Sequence, residues 1–207
     1  MDIGLHRLEN IVLDMAKLSE RTVLQAVDAF GKGVDERSSI YSLSEGLRLL
    51  QDEVSELSVE IIARYQPVAT DLRFIKSCME IAYGFSRFGR YAYDISSVLS
   101  VFKDVADCDR TLVYETGQKV VDMIKSSVEA FRNRDVNLAR AAQQADDAID
   151  KVYADFVEKI VEDPKGDIRC HIAMLLPLRY LERIADHASY IAESVLYIVE
   201  GERRPRK

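Results

Sequence analysis

The feature that most constrains the fold is an internal repeat with an offset of 96 residues. At that offset Arg87 falls on Arg183, and the tripeptide DLR at 71–73 falls on DIR at 167–169. Self-similarity at a fixed offset is the signature of a duplicated structural unit, because each copy must bury the same face. The sequence therefore predicts two tandem copies of one unit.

The two copies share a pattern of apolar residues spaced three and four apart, which is typical of the buried face of a helix. In the second copy this seam comprises Met174, Pro177, Leu181, Ile184, Ala188, Ile191, Val195 and Ile198. In the first copy the matching positions are Cys78, Ile81, Phe85, Phe88, Ala92, Ile95, Leu99 and Phe102. We expect one long helix in each copy, with a bend at the proline in the second.

Helical periodicity runs through most of the 207 residues, and Gly (9) and Pro (4) are too scarce to interrupt it often. We predict six helices, near 3–30, 39–65, 70–103, 108–133, 136–162 and 168–200. The expected fold is all-α, with one three-helix bundle over residues 1–106 and a second over 107–207. Short connections favour antiparallel neighbours within each bundle.

The net charge and the number of cysteines indicate which classes of protein this chain can belong to. With 28 Lys and Arg against 35 Asp and Glu, the net charge of −7 disfavours nucleic-acid binding, which depends on cations that neutralise phosphates. The three cysteines are an odd number without a C-x-x-C motif, which fits a reduced, cytoplasmic protein. We expect Cys78 and Cys170 to be small core residues, and no apolar run is long enough to span a membrane.

Two pairs of acids suggest a metal site. Asp146 and Asp150 lie one turn apart on the predicted fifth helix, and Glu182 and Asp186 do so on the sixth. An antiparallel hairpin that turns near 164–166 places the pairs within about 3 Å of the same height. Carboxylates gathered in this way need a cation or protons, and oxygen ligands suit Mg²⁺, Ca²⁺, Mn²⁺ or iron.

Other interpretations of these acids stay open at this point. The heptad positions of Glu182 and Asp186 point away from the core, as in a solvated helix face. His187 could add a nitrogen ligand, although it lies one step round the helix and is expected to pack.

The first copy provides an internal comparison for the acids. It carries none of them at the equivalent positions, which are Gln51, Ser55, Ser86 and Arg90. A solvated surface would be expected to keep some acids in both copies. We therefore predict a metal site in the second copy, while Asp52, Glu53 and Glu56 remain candidates for a weaker site of different geometry in the first.

Three segments resemble the PhoU family of phosphate-uptake regulators. They are YQPVATDLR (65–73), LERIADHASYIAE (181–193) and ADDAID (145–150), and the resemblance covers the whole chain as two repeats. It implies two three-helix bundles whose carboxylate-rich motifs hold iron or zinc. The ligands it implies here are Asp146, Asp150, Glu182 and Asp186. The sequence SRFGR (86–90) departs from the family's acid pair, so the first copy is expected to lack its cluster.

The function implied by the resemblance is regulatory rather than enzymatic. Family members associate with the ATPase side of the high-affinity phosphate transporter, and in bacteria with a phosphate-sensing histidine kinase, and they restrain uptake and signalling when phosphate is plentiful. Membrane association would then come only through the partner, and a homodimer is compatible with such long helices. The alternatives are a PhoU-like regulator of a cation transporter or channel, or an adapter with a purely structural metal. A di-iron oxidase is disfavoured because the sequence has no E-x-x-H motif.

Overall fold

The computed structural model describes residues 1–102, 105–163 and 165–201, and within these ranges the chain is all-helical. The helices are α1 (Asp2–Lys32), α2 (Arg37–Tyr65), α3 (Ala69–Phe102), α4 (Thr111–Asn133), α5 (Val136–Glu162) and α6 (Ile168–Glu200). The six predicted helices are confirmed. The predicted end of the third helix at Lys103 and part of the turn near Pro164 lie outside the described residues.

The helices form two bundles that pack side by side. Helices α1, α2 and α3 contact one another, as do α4, α5 and α6, and the bundles meet through α3 against α6 and α1 against α4. The central pair is antiparallel, since the Ser77 hydroxyl on α3 donates to the Ser194 carbonyl on α6 at 3.4 Å while Gly84 lies against Ile191. The two tandem three-helix bundles are confirmed, and the boundary between residues 106 and 107 stays a prediction.

The seams predicted from the repeat form the core of both bundles. All eight seam positions of α6 are buried, and so are seven of the eight on α3, with Phe102 partly buried at the end of the helix. Pro177 is buried inside α6, which continues on both sides of it. The repeated apolar pattern therefore identified the buried faces of α3 and α6, the two helices through which the bundles meet.

The expectation of three unpaired cysteines was wrong. Cys108 and Cys170 form a disulfide, and Cys78 is the remaining thiol, buried in the core as predicted. Cys108 also lies outside the fourth helix, which was predicted to begin at residue 108 but begins at Thr111, where the Asp109 carboxylate accepts a hydrogen bond from the Thr111 amide at 3.0 Å. The pairing joins residues separated by 62 positions, so no local spacing could reveal it.

Within the described ranges, no helix combines the length and the apolarity that crossing a membrane requires.

Candidate metal centre

The acids of the second bundle are carried by two helices that begin at well-defined caps. Asp135 caps α5 by accepting hydrogen bonds from the amides of Asn137 and Leu138, and Asp167 caps α6 in the same way. An aspartate at this position satisfies amides that otherwise lack partners. The caps fix where each helix starts and therefore which turns of α5 and α6 lie opposite one another.

Three of the four predicted ligands converge on one point. Asp146 and Asp150 of α5 and Asp186 of α6 each have a carboxylate oxygen, and these oxygens all lie within 4.8 Å of one another. Asp146 and Asp186 are half-buried, whereas Asp150 is exposed. Within the described part of the chain this is the one group of three or more acids, histidines or cysteines that could hold a metal ion.

Asp146 has the least favourable electrostatic environment of the three acids. The pKa of its carboxyl is raised to about 7, first by burial and then by the neighbouring carboxylates of Asp150 and Asp186. Asp147 and Glu182 contribute smaller effects in the same direction. Its buried oxygen Oδ1 has no hydrogen-bond partner among the described residues. A buried carboxylate oxygen without a donor is costly unless a proton or a cation compensates it.

Glu182 lies beside this group but is held by arginines. Its Oε1 is 2.6 Å from Nη1 of Arg179, and its Oε2 is 3.3 Å from Nε of Arg183. Glu182 is only 8% exposed, although its heptad position suggested a solvated face. Burial raises the pKa of the Glu182 carboxyl, and Arg179 and Arg183 oppose that shift. Glu182 is buried because α5 packs against this flank of α6, which a single-helix pattern does not show.

Arg183 links the two acids of α6. Besides Glu182, it pairs with Asp186 at 3.0 Å, so the charge of Asp186 is partly compensated. Burial raises the pKa of the Asp186 carboxyl, and Arg183 lowers it. Neither arginine was predicted from the sequence to pair with these acids. The signal was present in the i, i+3 spacing of Arg179 with Glu182 and of Arg183 with Asp186.

His187 packs among aromatic rings, as its position round the helix suggested. Its ring centroid is 5.7 Å from Tyr190, 5.9 Å from Tyr83 and 6.0 Å from Tyr91. Burial, with smaller effects from Arg87 and Arg183, lowers the pKa of His187 to about 4. The imidazole therefore contributes to packing between α3 and α6, not to the group of three acids.

The matching surface of the first bundle is arranged as ion pairs. Arg90, which occupies the position of Asp186, pairs with Asp94 at 3.3 Å. Asp52 pairs with Arg48 at 3.0 Å and Glu53 with Arg7 at 2.9 Å, so these two acids are drawn to different cations. This arrangement differs from the second bundle, where carboxylates face one another.

The donors of the second bundle fit a metal ion. They are carboxylate oxygens from two helices, one of them buried without a donor, in a cluster with more acids than arginines. Oxygen donors suit iron, manganese, magnesium and calcium, and zinc also accepts carboxylates.

A profile of the PhoU domain matches this chain twice, over residues 12–99 and 113–195. The chain belongs to the PhoU family. The two matches coincide with the two bundles, so each bundle is one PhoU domain. The acid group lies entirely in the second PhoU domain, since Asp146, Asp150 and Asp186 fall within residues 113–195.

Individual relatives agree with this assignment. The chain is 31% identical over 206 residues to the phosphate-specific transport system accessory protein PhoU homolog of Pseudomonas putida, covering 95% of this chain and 79% of that one. It is 27% identical to a homolog from Methanothermobacter thermautotrophicus, covering 95% and 94%. The crystal structure of PhoU from Pseudomonas aeruginosa superposes with a TM-score of 0.88 at 29% identity, covering 97% of this chain and 99% of that one.

The fold is also shared with a more distant structure. The phosphate transport system regulatory protein PhoU from Streptococcus pneumoniae superposes with a TM-score of 0.91 at 22% identity, covering 99% of both chains. At that level of identity the likeness concerns the fold alone.

Proposed function

We propose that this chain is a non-enzymatic regulator of phosphate uptake that docks on the cytoplasmic ATPase side of a phosphate ABC transporter. The observation that carries the proposal is the name shared by its relatives, the phosphate-specific transport system accessory proteins, which align over nearly the whole chain. When docked, the chain represses uptake and phosphate-starvation signalling while phosphate is plentiful. A sensor kinase is a second partner, and the chain reaches the membrane only through its partners.

In this proposal the acid group binds one or more metal ions, with iron or zinc preferred and manganese, magnesium or calcium as alternatives. Asp146, Asp150 and Asp186 hold the ion, and Glu182 joins them when it leaves Arg179. The metal supplies positive charge that compensates carboxylates on two helices. The chain's own contribution is to fix α5 against α6 and to keep Arg183 beside the acids, so that metal binding and the shape of this surface are coupled.

The position of the acid group also favours a regulatory adapter over an enzyme. Its acids lie on the outer flank of an α5–α6 hairpin, where a partner can contact them, and Asp150 is exposed. A charged surface whose net charge depends on a bound cation changes its electrostatic complementarity with a partner. The proposed role of the metal is to set that complementarity.

The experiment that tests the proposal is an affinity purification of the tagged full chain from phosphate-replete cells, read by mass spectrometry. We expect enrichment of the phosphate-transporter ATPase over an untagged control. The variant that combines Asp146→Asn with Asp186→Asn should recover less ATPase, whereas Asp52→Asn with Glu56→Gln on α2 should recover as much as wild type. Enrichment of a cation transporter or channel in place of the ATPase would overturn the assignment of phosphate uptake and favour the alternative regulator.

A further inference from the structure

The disulfide covalently links two parts of the chain that lie far apart in the sequence. Cys108 lies in the connection between α3 and α4, which leads from the first bundle to the second, and Cys170 lies in the first turn of α6. Their Cα atoms are 5.4 Å apart. The bond therefore ties the inter-bundle connection to the start of the helix that carries Glu182 and Asp186.

The two cysteines differ in accessibility. Cys108 is only 6% exposed and is packed with Val105, whose carbonyl accepts a hydrogen bond from the Cys108 amide at 3.1 Å. Cys170 is partly exposed. A reagent from solution therefore reaches Cys170 first, and Cys108 is placed to react with Cys170.

The position of Cys170 favours the deprotonated, reactive form of its own thiol. It is the third residue of a 33-residue helix, where the unpaired amides and the helix dipole stabilise negative charge. The Asp167 carboxylate, 3.6 Å from Sγ of Cys170, opposes a thiolate, and Arg169 offsets that carboxylate by pairing with it at 3.5 Å. Cys78 lacks such features, since burial raises the pKa of its thiol strongly.

We propose that Cys108 and Cys170 are a reversible dithiol–disulfide site whose reactants are low-molecular-weight thiols and disulfides of the glutathione type. For oxidation, the Cys170 thiolate attacks one sulfur of glutathione disulfide, forms a mixed disulfide and releases one glutathione thiolate. The Cys108 thiolate then attacks Sγ of Cys170 and releases the second glutathione. The two protons lost by the cysteines end on the two released thiolates, and reduced glutathione reverses both steps.

The site is independent of the proposed regulation of phosphate uptake, and its effect is conformational. When the bond is reduced, the packing of Val105 and Cys108 and the turn itself still hold the connection around residues 105–110, but its covalent link to α6 is lost. The connection and the first turn of α6 should then open more readily. Trypsin cleavage after Arg110, at the start of α4, reports this opening, because trypsin cuts there only when the segment opens.

The first test counts thiols in the full chain. The protein is equilibrated anaerobically with excess oxidised or reduced glutathione, quenched, unfolded and labelled with a maleimide that shifts its mass. We expect one labelled thiol, that of Cys78, after oxidation and three after reduction, with full interconversion between the two. Three thiols after oxidation, or a bond that reduced glutathione opens only in unfolded protein, would overturn the proposal.

Variants separate the roles of the two cysteines. Cys108→Ser should trap one glutathione on Cys170, detectable by intact mass, whereas Cys170→Ser should trap little on the buried Cys108. Cys78→Ser is the matched control and should keep the complete redox change. Equal adducts on both single variants would refute the assignment of Cys170 as the attacking residue.

The second test measures the conformational effect. Tryptic cleavage after Arg110 should be several-fold faster in reduced than in oxidised wild type, and Cys108→Ser should be cleaved at the faster rate in both buffers. A cleavage rate that does not depend on the redox state would show that the bond is not a switch of this connection, even if it forms and breaks.

Discussion

Asp146 on α5 and Asp186 on α6 each place a carboxylate oxygen within 4.8 Å of the other, across the groove between two antiparallel helices. Arg183 compensates Asp186, while the buried oxygen of Asp146 has no hydrogen-bond donor in the described structure. The two carboxylates therefore differ in their need for a cation. Asp146 is the residue whose protonation and metal binding should be most visible in experiments.

Removal of the converging carboxylates should abolish metal binding. We expect purified Asp146→Asn/Asp186→Asn protein to lose most of the bound metal, because an amide oxygen is a weaker ligand for a divalent cation than a carboxylate. The measurement is metal content by inductively coupled plasma mass spectrometry after dialysis. The double variant Asp52→Asn/Glu56→Gln, which removes an exposed acid pair one turn apart on α2, should retain the wild-type content. Unchanged metal in the first variant would refute the site.

The stability of the metal-free protein should depend on pH through Asp146. Because its pKa in the folded chain is raised to about 7 from 3.8, the folded state binds more protons than the unfolded state between these values. The contribution of Asp146 is therefore most favourable below about pH 4 and is lost as the pH rises through 7. His187 acts in the opposite direction between about pH 4 and 6.5, so wild type alone does not isolate Asp146.

The variant Asp146→Asn isolates this contribution. In the presence of a chelator its advantage over wild type should be small at pH 5 and should grow to about 1–2 kcal/mol at pH 8, after allowance for the partial exposure of Asp146. Thermal unfolding at both pH values measures the difference, with about 2–4 °C expected for each kcal/mol. A variant less stable than wild type at pH 8 would contradict the raised pKa.

Close packing between the bundles should make Gly117 intolerant of a larger side chain. A Cβ atom there would lie 2.5 Å from Cγ1 of Val27 on α1, so Gly117→Ala should destabilise the fold by about 1–3 kcal/mol. At Gly46 on α2 the nearest atom is Cδ2 of Leu18 at 3.5 Å, an ordinary contact. Gly46→Ala should stabilise the helix by about 0.5–1 kcal/mol. Chemical denaturation of both variants checks the contrast, and equal effects would argue against the tight contact of α1 with α4.

The cap of α5 should contribute measurably to stability. The Asp135 carboxylate accepts hydrogen bonds from the amides of Asn137 at 2.8 Å and Leu138 at 3.0 Å. Asp135→Ala should cost about 1 kcal/mol, and Asp135→Asn, which keeps an acceptor oxygen, should cost less. Urea denaturation measures both variants. If the two substitutions had the same effect, the side chain would not act as the cap.

Several features of this protein could be predicted from local patterns in the sequence. The repeat relating Arg87 to Arg183 indicated the duplication, and the seam from Met174 to Ile198 predicted which face of α6 is buried. The acids on two consecutive helices predicted the convergence of Asp146, Asp150 and Asp186. These features are local. Helical periodicity determines which face of a helix is buried, and the rise per residue determines how far along the hairpin each residue lies.

The tertiary structure determined which acids pair with arginines and which cysteines form the disulfide. Glu182 is buried and paired with Arg179 because α5 covers its flank, and that outcome depends on how two helices pack. Cys108 meets Cys170 because the connection between the bundles passes the first turn of α6. The sequence determined the helices, their buried faces and the duplication. Contacts between distant residues depend on helix register and packing, which the spacing of residues within one helix does not encode.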